Sequence, residues 1–155
     1  MAPASRTPGS CSRRRSAVAV VHYTLAHRMP LAINTDHDKR LIQITASDPL
    51  QLADILAFLD TQAETGGWSY RTLSDYSASS WVPEVAEVRQ LVRQIEVLAT
   101  QHGPRGLAAI VTGDERLVNY GMARMYSMLA NPNHARIQAF QTVSAALHWL
   151  NGENA

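Results

Sequence analysis

Two short alternating stretches open the readable part of the chain. Residues 31–36 and 40–46 have strand character, and Ile42 and Ile44 alternate with Gln43 and Thr45, giving one apolar and one polar face. The polar triplet His37-Asp38-Lys39 between them predicts a turn, so the pair reads as an antiparallel hairpin. The period then lengthens. Leu52, Ile55, Leu56, Leu59 and Ala63 recur at helical spacing, with Asp48 expected as the cap, Pro49 in the first helical position and Gly66-Gly67 as the stop. Residues 68–76 predict a third strand, with Tyr70, Thr72 and Ser74 on one face and Arg71, Leu73 and Asp75 on the other. A serine-rich loop, residues 77–80, follows.

A second helix starts at Pro83 and carries Val85, Val88, Leu91, Val92, Ile95, Leu98 and Ala99 on one face. Glu84 and Glu87 suit its positive end, His102 suits its negative end, and Gly103-Pro104-Arg105-Gly106 stops it. Residues 107–112 are almost continuously apolar, as in a central parallel strand covered on both faces. Gly113-Asp114 turns the chain into a third helix over 115–130, whose sheet-facing residues are expected to be Val118, Gly121, Met122, Met125 and Leu129. Asn131-Pro132-Asn133 breaks it. Residues 135–140 form a fifth strand. Thr142 caps a last helix with Val143, Ala146, Leu147 and Leu150 inward, closed by Gly152. The order β-β-α-β-α-β-α-β-α predicts an α/β fold with a mixed, mostly parallel five-stranded sheet and about four helices. No repeat or second domain is visible.

Charge sets the beginning of the chain apart. Residues 1–28 hold five arginines and no acid, while the remainder holds nine basic and thirteen acidic residues. The folded part is therefore mildly acidic, and nucleic acid is not an expected partner for it. The Pro-, Ser- and Arg-rich start cannot bury enough surface to order itself, so 1–28 reads as a disordered basic tail. Met29 also stands where a shorter natural chain would begin, which leaves a mis-annotated start as the other reading. The domain proper is 29–152. Arginines ahead of the apolar residues 17–21 resemble an export signal, but His22, Tyr23 and His27 interrupt the run and Arg28 ends it. No apolar run reaches the roughly 18–20 residues that span a bilayer. The single cysteine, Cys11, and eight glycines exclude disulfide-rich and collagen-like scaffolds. A lone thiol suits a cytoplasmic location.

Candidate chemistry is sparse. Six histidines show no His-x-x-x-His or His-Glu-x-x-His spacing, so no metal and no cofactor is expected. His37 with Asp36 and Asp38 reads as a local polar turn. No Gly-x-Ser-x-Gly elbow supports hydrolysis, and no glycine-rich phosphate loop follows a strand. Loop 77–80 and the turn Thr112-Gly113-Asp114 should lie at the C-terminal ends of neighbouring strands, where ligands collect in open α/β sheets. Serines there either anchor a phosphate near a helix N-terminus or simply build turns. Arg124 and Tyr120 share a helix face. Arg124 either grips a carboxylate or phosphate, or pairs with Asp114, Glu115 or a C-terminal carbonyl elsewhere while Tyr120 packs its ring. Gly121 is expected to let the helix approach the sheet. Met122, Met125 and Met128 either border a pliable pocket or fill the core. Trp68, Tyr70, Tyr76 and Trp81 either form an exposed aromatic patch or cover the edge of the core.

The third helix carries a more specific pattern. Tyr120-Gly121-Met122-Ala123-Arg124-Met125-Tyr126 resembles the aromatic-Gly-Leu-Ala-Arg-Met-Tyr/Phe signature of small bacterial proteins in the SpoIIAA-like branch of the STAS superfamily. The apolar strand Ala108-Ala109-Ile110-Val111 before it and the ending Ala146-Leu147-His148-Trp149-Leu150 extend the resemblance over residues 31–150. The resemblance implies a compact interaction domain, not an enzyme. Relatives of this type antagonise anti-sigma factors, bind a partner kinase and are controlled by phosphorylation of a serine in an Asp-Ser-Ser-Gly motif after the third strand. The corresponding stretch here is Asp75-Tyr76-Ser77-Ala78-Ser79-Ser80-Trp81, with Trp81 in place of the glycine. Ser77, Ser79 and Ser80 are thus the candidate phospho-serine loop. Tyr120, Met122, Arg124, Met125 and Tyr126 are the candidate ligand or partner surface. The expected function is a non-catalytic regulatory or protein-interaction module with a protein partner. The alternative is a carrier or sensor of a small apolar or amphipathic, lipid-like ligand, since other members of the wider fold group bind such molecules.

Overall fold

The computed structural model describes residues 30–152. The expectations for the basic tail, the export signal, the start at Met29 and Cys11 lie outside the described residues. Strands β1 (Leu31–Asp36) and β2 (Leu41–Ala46) form the expected antiparallel hairpin. Then come α1 (Leu52–Glu64), β3 (Arg71–Asp75), α2 (Val85–His102), β4 (Ala108–Val111), α3 (Leu117–Leu129), β5 (Ile137–Phe140) and α4 (Val143–Gly152). The sheet runs β1-β2-β3-β4-β5, and every pair after the first is parallel. The α/β class and the order of all nine elements follow the sequence pattern.

The sequential strand order has a consequence. Each parallel strand is added beside the last in the same direction, so crossovers of one hand bring α1, α2 and α3 onto one face of the sheet. Alternate residues of β2, β4 and β5 face those helices: Ile42, Ile44, Ala108, Ile110, Ile137 and Ala139 pack with Ile55, Phe58 and Leu59 of α1 and Leu91 and Ile95 of α2. The opposite face is covered by α4, where Leu41, Leu73, Ala109 and Val111 meet Ala146 and Leu150. β4 is buried on both faces, as its unbroken apolar run predicts. β1, an edge strand, is mostly exposed.

Three local expectations need correction. Asp48 does not cap α1; its carboxylate accepts from the Ser80 backbone N–H at 2.9 Å and the Ser79 hydroxyl at 3.2 Å. The helix starts at Leu52, three residues after Pro49, behind the N-cap Gln51, whose backbone N–H donates to Asp54 Oδ2 at 2.8 Å. Second, α2 begins at Val85 rather than Pro83, and Val85 itself is exposed. Third, the third strand is shorter than 68–76, because Trp68 turns inward from the preceding loop and donates its indole N–H to the Gly103 carbonyl at 2.7 Å.

One glycine fixes how the chain enters β4. A Cβ on Gly106 would lie 2.3 Å from the Tyr70 carbonyl oxygen and 2.5 Å from that of Ser69, so only glycine lets these backbones meet. The Gly106 N–H donates to the Trp68 carbonyl and the Arg105 N–H to the His134 carbonyl. Arg105 is thereby pinned at the N-terminal end of β4, between β3 and β5.

Candidate functional site

α3 is apolar nearly all round, and its two sides do different things. Asn119, Met122, Ala123 and Tyr126 follow helical spacing and point toward the sheet, with Ala130 continuing the stripe. Leu117, Val118 and Met128 are 74, 68 and 77% exposed, and Leu129 is exposed as well. The expected sheet-facing set was therefore one residue out of phase, with only Met122 on the inner side. A one-residue shift turns an α-helix by about 100°, and both stripes of this helix are apolar enough to pass for the buried one. Gly121 lies on the outer side, where an added Cβ would meet nothing within 4 Å. It does not serve helix–sheet contact.

The five candidate surface residues separate accordingly. Met122 and Tyr126 line a cavity beneath the helix, and Tyr120 packs partly buried against the same core. Arg124 and Met125 border a shallow outer groove with Gly121, Met128 and Leu129. Arg124 is exposed and forms no ion pair with Asp114 or Glu115.

The cavity beneath α3 has a volume of about 70 Å³. Its floor is the sheet: Ser74, Ala108, Ile110 and Thr112. The strand register places Ser74 between Ile44 and Ile110, a hydroxyl at the centre of an otherwise apolar row. Phe58 and Leu59 of α1 and Val88 and Leu91 of α2 form one wall, and α3 forms the other. Trp81 and Pro83, from the segment between β3 and α2, close the end near the C-termini of the strands. Arg105 enters from the opposite end.

Polar groups gather around Arg105. Its Nε and Nη2 donate to Gln62 Oε1 at 3.3 and 3.0 Å, and its guanidinium lies over the Trp68 ring, 5.6 Å from the centroid. The buried Gln62 passes the connection on, donating to the Gly67 carbonyl at 3.0 Å and Thr72 Oγ1 at 3.2 Å. The Tyr126 hydroxyl lies near the Arg105 guanidinium, and the Tyr76 hydroxyl near Ser74. The polar ends of all three titratable groups are densely surrounded, although each side chain as a whole keeps some exposure. Burial holds Arg105 below its ordinary value, and Tyr126 and then Tyr76 offset part of that. Burial pushes Tyr126 up to about 12, against the opposing effect of Arg105. It also raises Tyr76, with neighbouring Tyr126 adding to the shift. Both phenols are therefore neutral O–H groups at physiological pH. No carboxylate pairs with Arg105 among the described residues. The Thr112 hydroxyl, 3% exposed, has no hydrogen-bond partner.

The serine loop is built differently. Ser79 is 1% exposed, donates to Asp48, accepts from the Trp81 N–H at 3.2 Å, and its carbonyl accepts from Arg116. Ser77 donates through both its N–H and its hydroxyl to Asp75, at 2.9 and 2.6 Å. Ser80 remains with an exposed side chain. The Ser80 N–H first, then its side chain, with smaller help from Ser79 and the Arg116 charge, holds the Asp48 carboxyl below the ordinary carboxylate range. A negative charge thus stands beside Ser80. None of these serines starts α2, whose N-cap is Glu84, so the expected helix N-terminus is not at hand for a phosphate. Asx- and serine-based turns account for Ser77 and Ser79.

The aromatic residues cover the core and do not form an exposed patch. Trp68 is buried, and Tyr76 and Trp81 line the cavity. Tyr70 packs edge-on against His37, with ring centroids 5.8 Å apart, and its hydroxyl meets His37 Nδ1 at 3.1 Å. Among the described residues no three His, Cys, Asp or Glu side chains cluster as metal ligands, and no helix is long and apolar enough to cross a membrane. Thr112 belongs to the turn expected at the strand ends where ligands collect, whereas Arg105 was invisible as a site residue in the sequence. Arg105 reads there as part of a helix-stopping turn, and its one signal is the absence of any acid between Glu96 and Asp114.

No family model matches the chain, and no curated protein matches it. Among solved structures, the NMR structure of the protein TM1081 matches with a TM-score of 0.50 at 11% identity, over 93% of this chain and 98% of that one. At that identity the likeness concerns the fold alone.

Proposed function

We propose that this chain is a non-catalytic regulatory or protein-interaction module of the STAS type, acting in the cytoplasm and docking through the outer face of α3. The observation that carries the reading is the exposed apolar strip of Leu117, Val118 and Met128 around Gly121. A glycine inside a helix costs about 1 kcal/mol relative to alanine. Nothing within this chain occupies the space it leaves, so the gap supports close approach by another backbone. Arg124 beside the groove supplies a charge for orientation. The α3 sequence, which carries the STAS resemblance, and the α/β order support the same reading.

The test is photo-crosslinking from position 118 in the protein's own cells. A single protein crosslinked from the outer face, and lost in the Leu117→Glu/Met128→Lys double variant, supports the module. A chain that crosslinks to nothing, in a variant shown to be folded, sinks it. A second reading, a carrier or sensor of a small amphipathic ligand, is supported by the cavity under the same helix.

A further inference from the structure

The cavity beneath α3 is mostly hydrocarbon, yet one end of it holds a guanidinium and two neutral phenols and no acid. Arg105 is half-buried, and without a counter-charge its desolvation is not repaid by an ion pair. Gln62 takes two of the Arg105 N–H groups, and the Tyr126 hydroxyl faces another. The rest of the fork has no protein acceptor among the described residues. Arginine is also the side chain whose planar fork matches a carboxylate. Independently, the Thr112 hydroxyl is buried, unpartnered and part of the same cavity wall. Thr112, past the C-terminus of β4, is thus the lining residue whose buried polar atom the protein leaves unsatisfied, and Arg105, at the opposite end, is the lining cation without a carboxylate partner among the described residues.

We infer that the cavity is a binding site for a small organic monoanion, a short aliphatic carboxylate, with its head on Arg105 and its tail against Met122. This rests on the second reading above, not on docking through the outer face. The head accepts N–H bonds from Arg105 and an O–H bond from Tyr126, which can accept from the guanidinium and donate to the ligand at once. Burial keeps that phenol protonated, so it remains a donor at physiological pH. The tail meets Ile110, Leu91 and Met122, which have no polar atoms for a second charge. That composition selects a monoanion with a hydrocarbon body over inorganic phosphate, whose several oxygens need more donors than one arginine and a few hydroxyls give. Size limits the body. The cavity of about 70 Å³ is roughly half of an engineered 150 Å³ cavity that holds benzene. With methionine adjusting, the fit is a chain of about two to four carbons.

The experiment is calorimetric titration of the full chain, dialysed free of carboxylate buffers, with sodium acetate, butyrate and octanoate at fixed ionic strength. Inorganic phosphate and 1-butanol serve as the contrasting probes. Saturable binding that strengthens from acetate to butyrate and is lost at octanoate is the expected pattern. Arg105→Gln should weaken butyrate at least tenfold, and Tyr126→Phe, which keeps the ring, several-fold. If Arg105→Gln does not fold, Tyr126→Phe decides alone. Undiminished butyrate binding in the folded variants overturns the assignment, as does phosphate binding in place of butyrate. Butanol binding without butyrate binding overturns the anion but leaves the small-ligand reading standing. If neither binds, both fall.

Discussion

On the α4 side of the sheet, Ala109, Ala146 and Leu150 are completely buried, and the cluster they form with Leu41, Leu73 and Val111 contains no polar side chain. Phe140 and Trp149 seal it, with ring centroids 5.6 Å apart. On the α1–α3 side the core is larger but incomplete: Gln62, Thr72, Ser74 and Thr112 are buried among apolar neighbours, and a cavity of about 70 Å³ remains. Both sides belong to the same short strands. The buried part of the α4 side is hydrocarbon, with Arg71 at its rim donating to the Leu150 carbonyl at 3.3 Å, whereas the opposite side buries polar groups in its middle. Thr72 and Gln62 at least satisfy each other. Thr112, with an unpartnered hydroxyl, and Arg105, without a carboxylate partner among the described residues, are the lining residues that a purely structural account leaves incomplete.

The largest expected effect tests the filled side. Leu150→Ala removes a fully buried side chain from the apolar cluster under α4. Denaturant unfolding should show a loss of about 3–4 kcal/mol, transfer and cavity costs together. Butyrate affinity of the folded fraction should not move, because the sheet separates this cluster from the cavity. A loss well under 1 kcal/mol would mean that the α4 side is not the tighter one.

Alkaline pH probes the other side. The Tyr126 phenol is raised from 10.0 to about 12 in the folded state. Below about pH 10 neither state ionises it, and its contribution is complete. As pH rises through 10 toward 12 the unfolded chain loses its proton first, so stability falls, by on the order of 2 kcal/mol across the window. Tyr126→Phe should flatten that slope in unfolding midpoints taken at about pH 9 and about pH 11.5. An identical slope in the variant would place the phenol in contact with water.

Removing a spare hydroxyl should help. Thr112→Val keeps the shape of the side chain and deletes an oxygen that has no partner. Stabilisation of about 1 kcal/mol is expected, since an unsatisfied buried group carries its desolvation cost unrepaid. A comparable destabilisation would show that ordered water completes Thr112 in solution.

What the sequence made legible divides along the same line as the two sides of the sheet. The α4 cluster was readable because Ala146, Leu147 and Leu150 lie on one clear stripe and residues 107–111 of the facing strand are apolar without a break. Helix spacing also placed Leu91, Ile95 and Leu98 correctly. α3 was not readable in phase, since the stripe through 118, 121, 122, 125 and 129 and the stripe through 119, 122, 123, 126 and 130 differ by one residue and both look buried. Asp48 next to Pro49 has the form of a helix cap, and only the return of Ser79 and Ser80 from beyond β3 claims its carboxylate. Arg105 sits in a turn, where local pattern says nothing about the direction of a side chain. Its place in the cavity comes from the contact of Gly106 with Ser69 and Tyr70, which is tertiary information.

The smallest effect separates the inner and outer faces of α3. Gly121→Ala adds a methyl group that meets nothing in the chain and restores helix propensity. The isolated protein should gain just under 1 kcal/mol, or about 2–4 °C in melting temperature. Butyrate binding should be unchanged, because the methyl points away from the cavity. Crosslinking from position 118 should fall, because the same methyl enters the space a docked backbone would use. Stability and docking would then move in opposite directions in one variant, and the ligand site would ignore both. A stabilised protein that docks as well as before would show that the glycine serves no contact, leaving the exposed leucine, valine and methionine to carry the outer face alone.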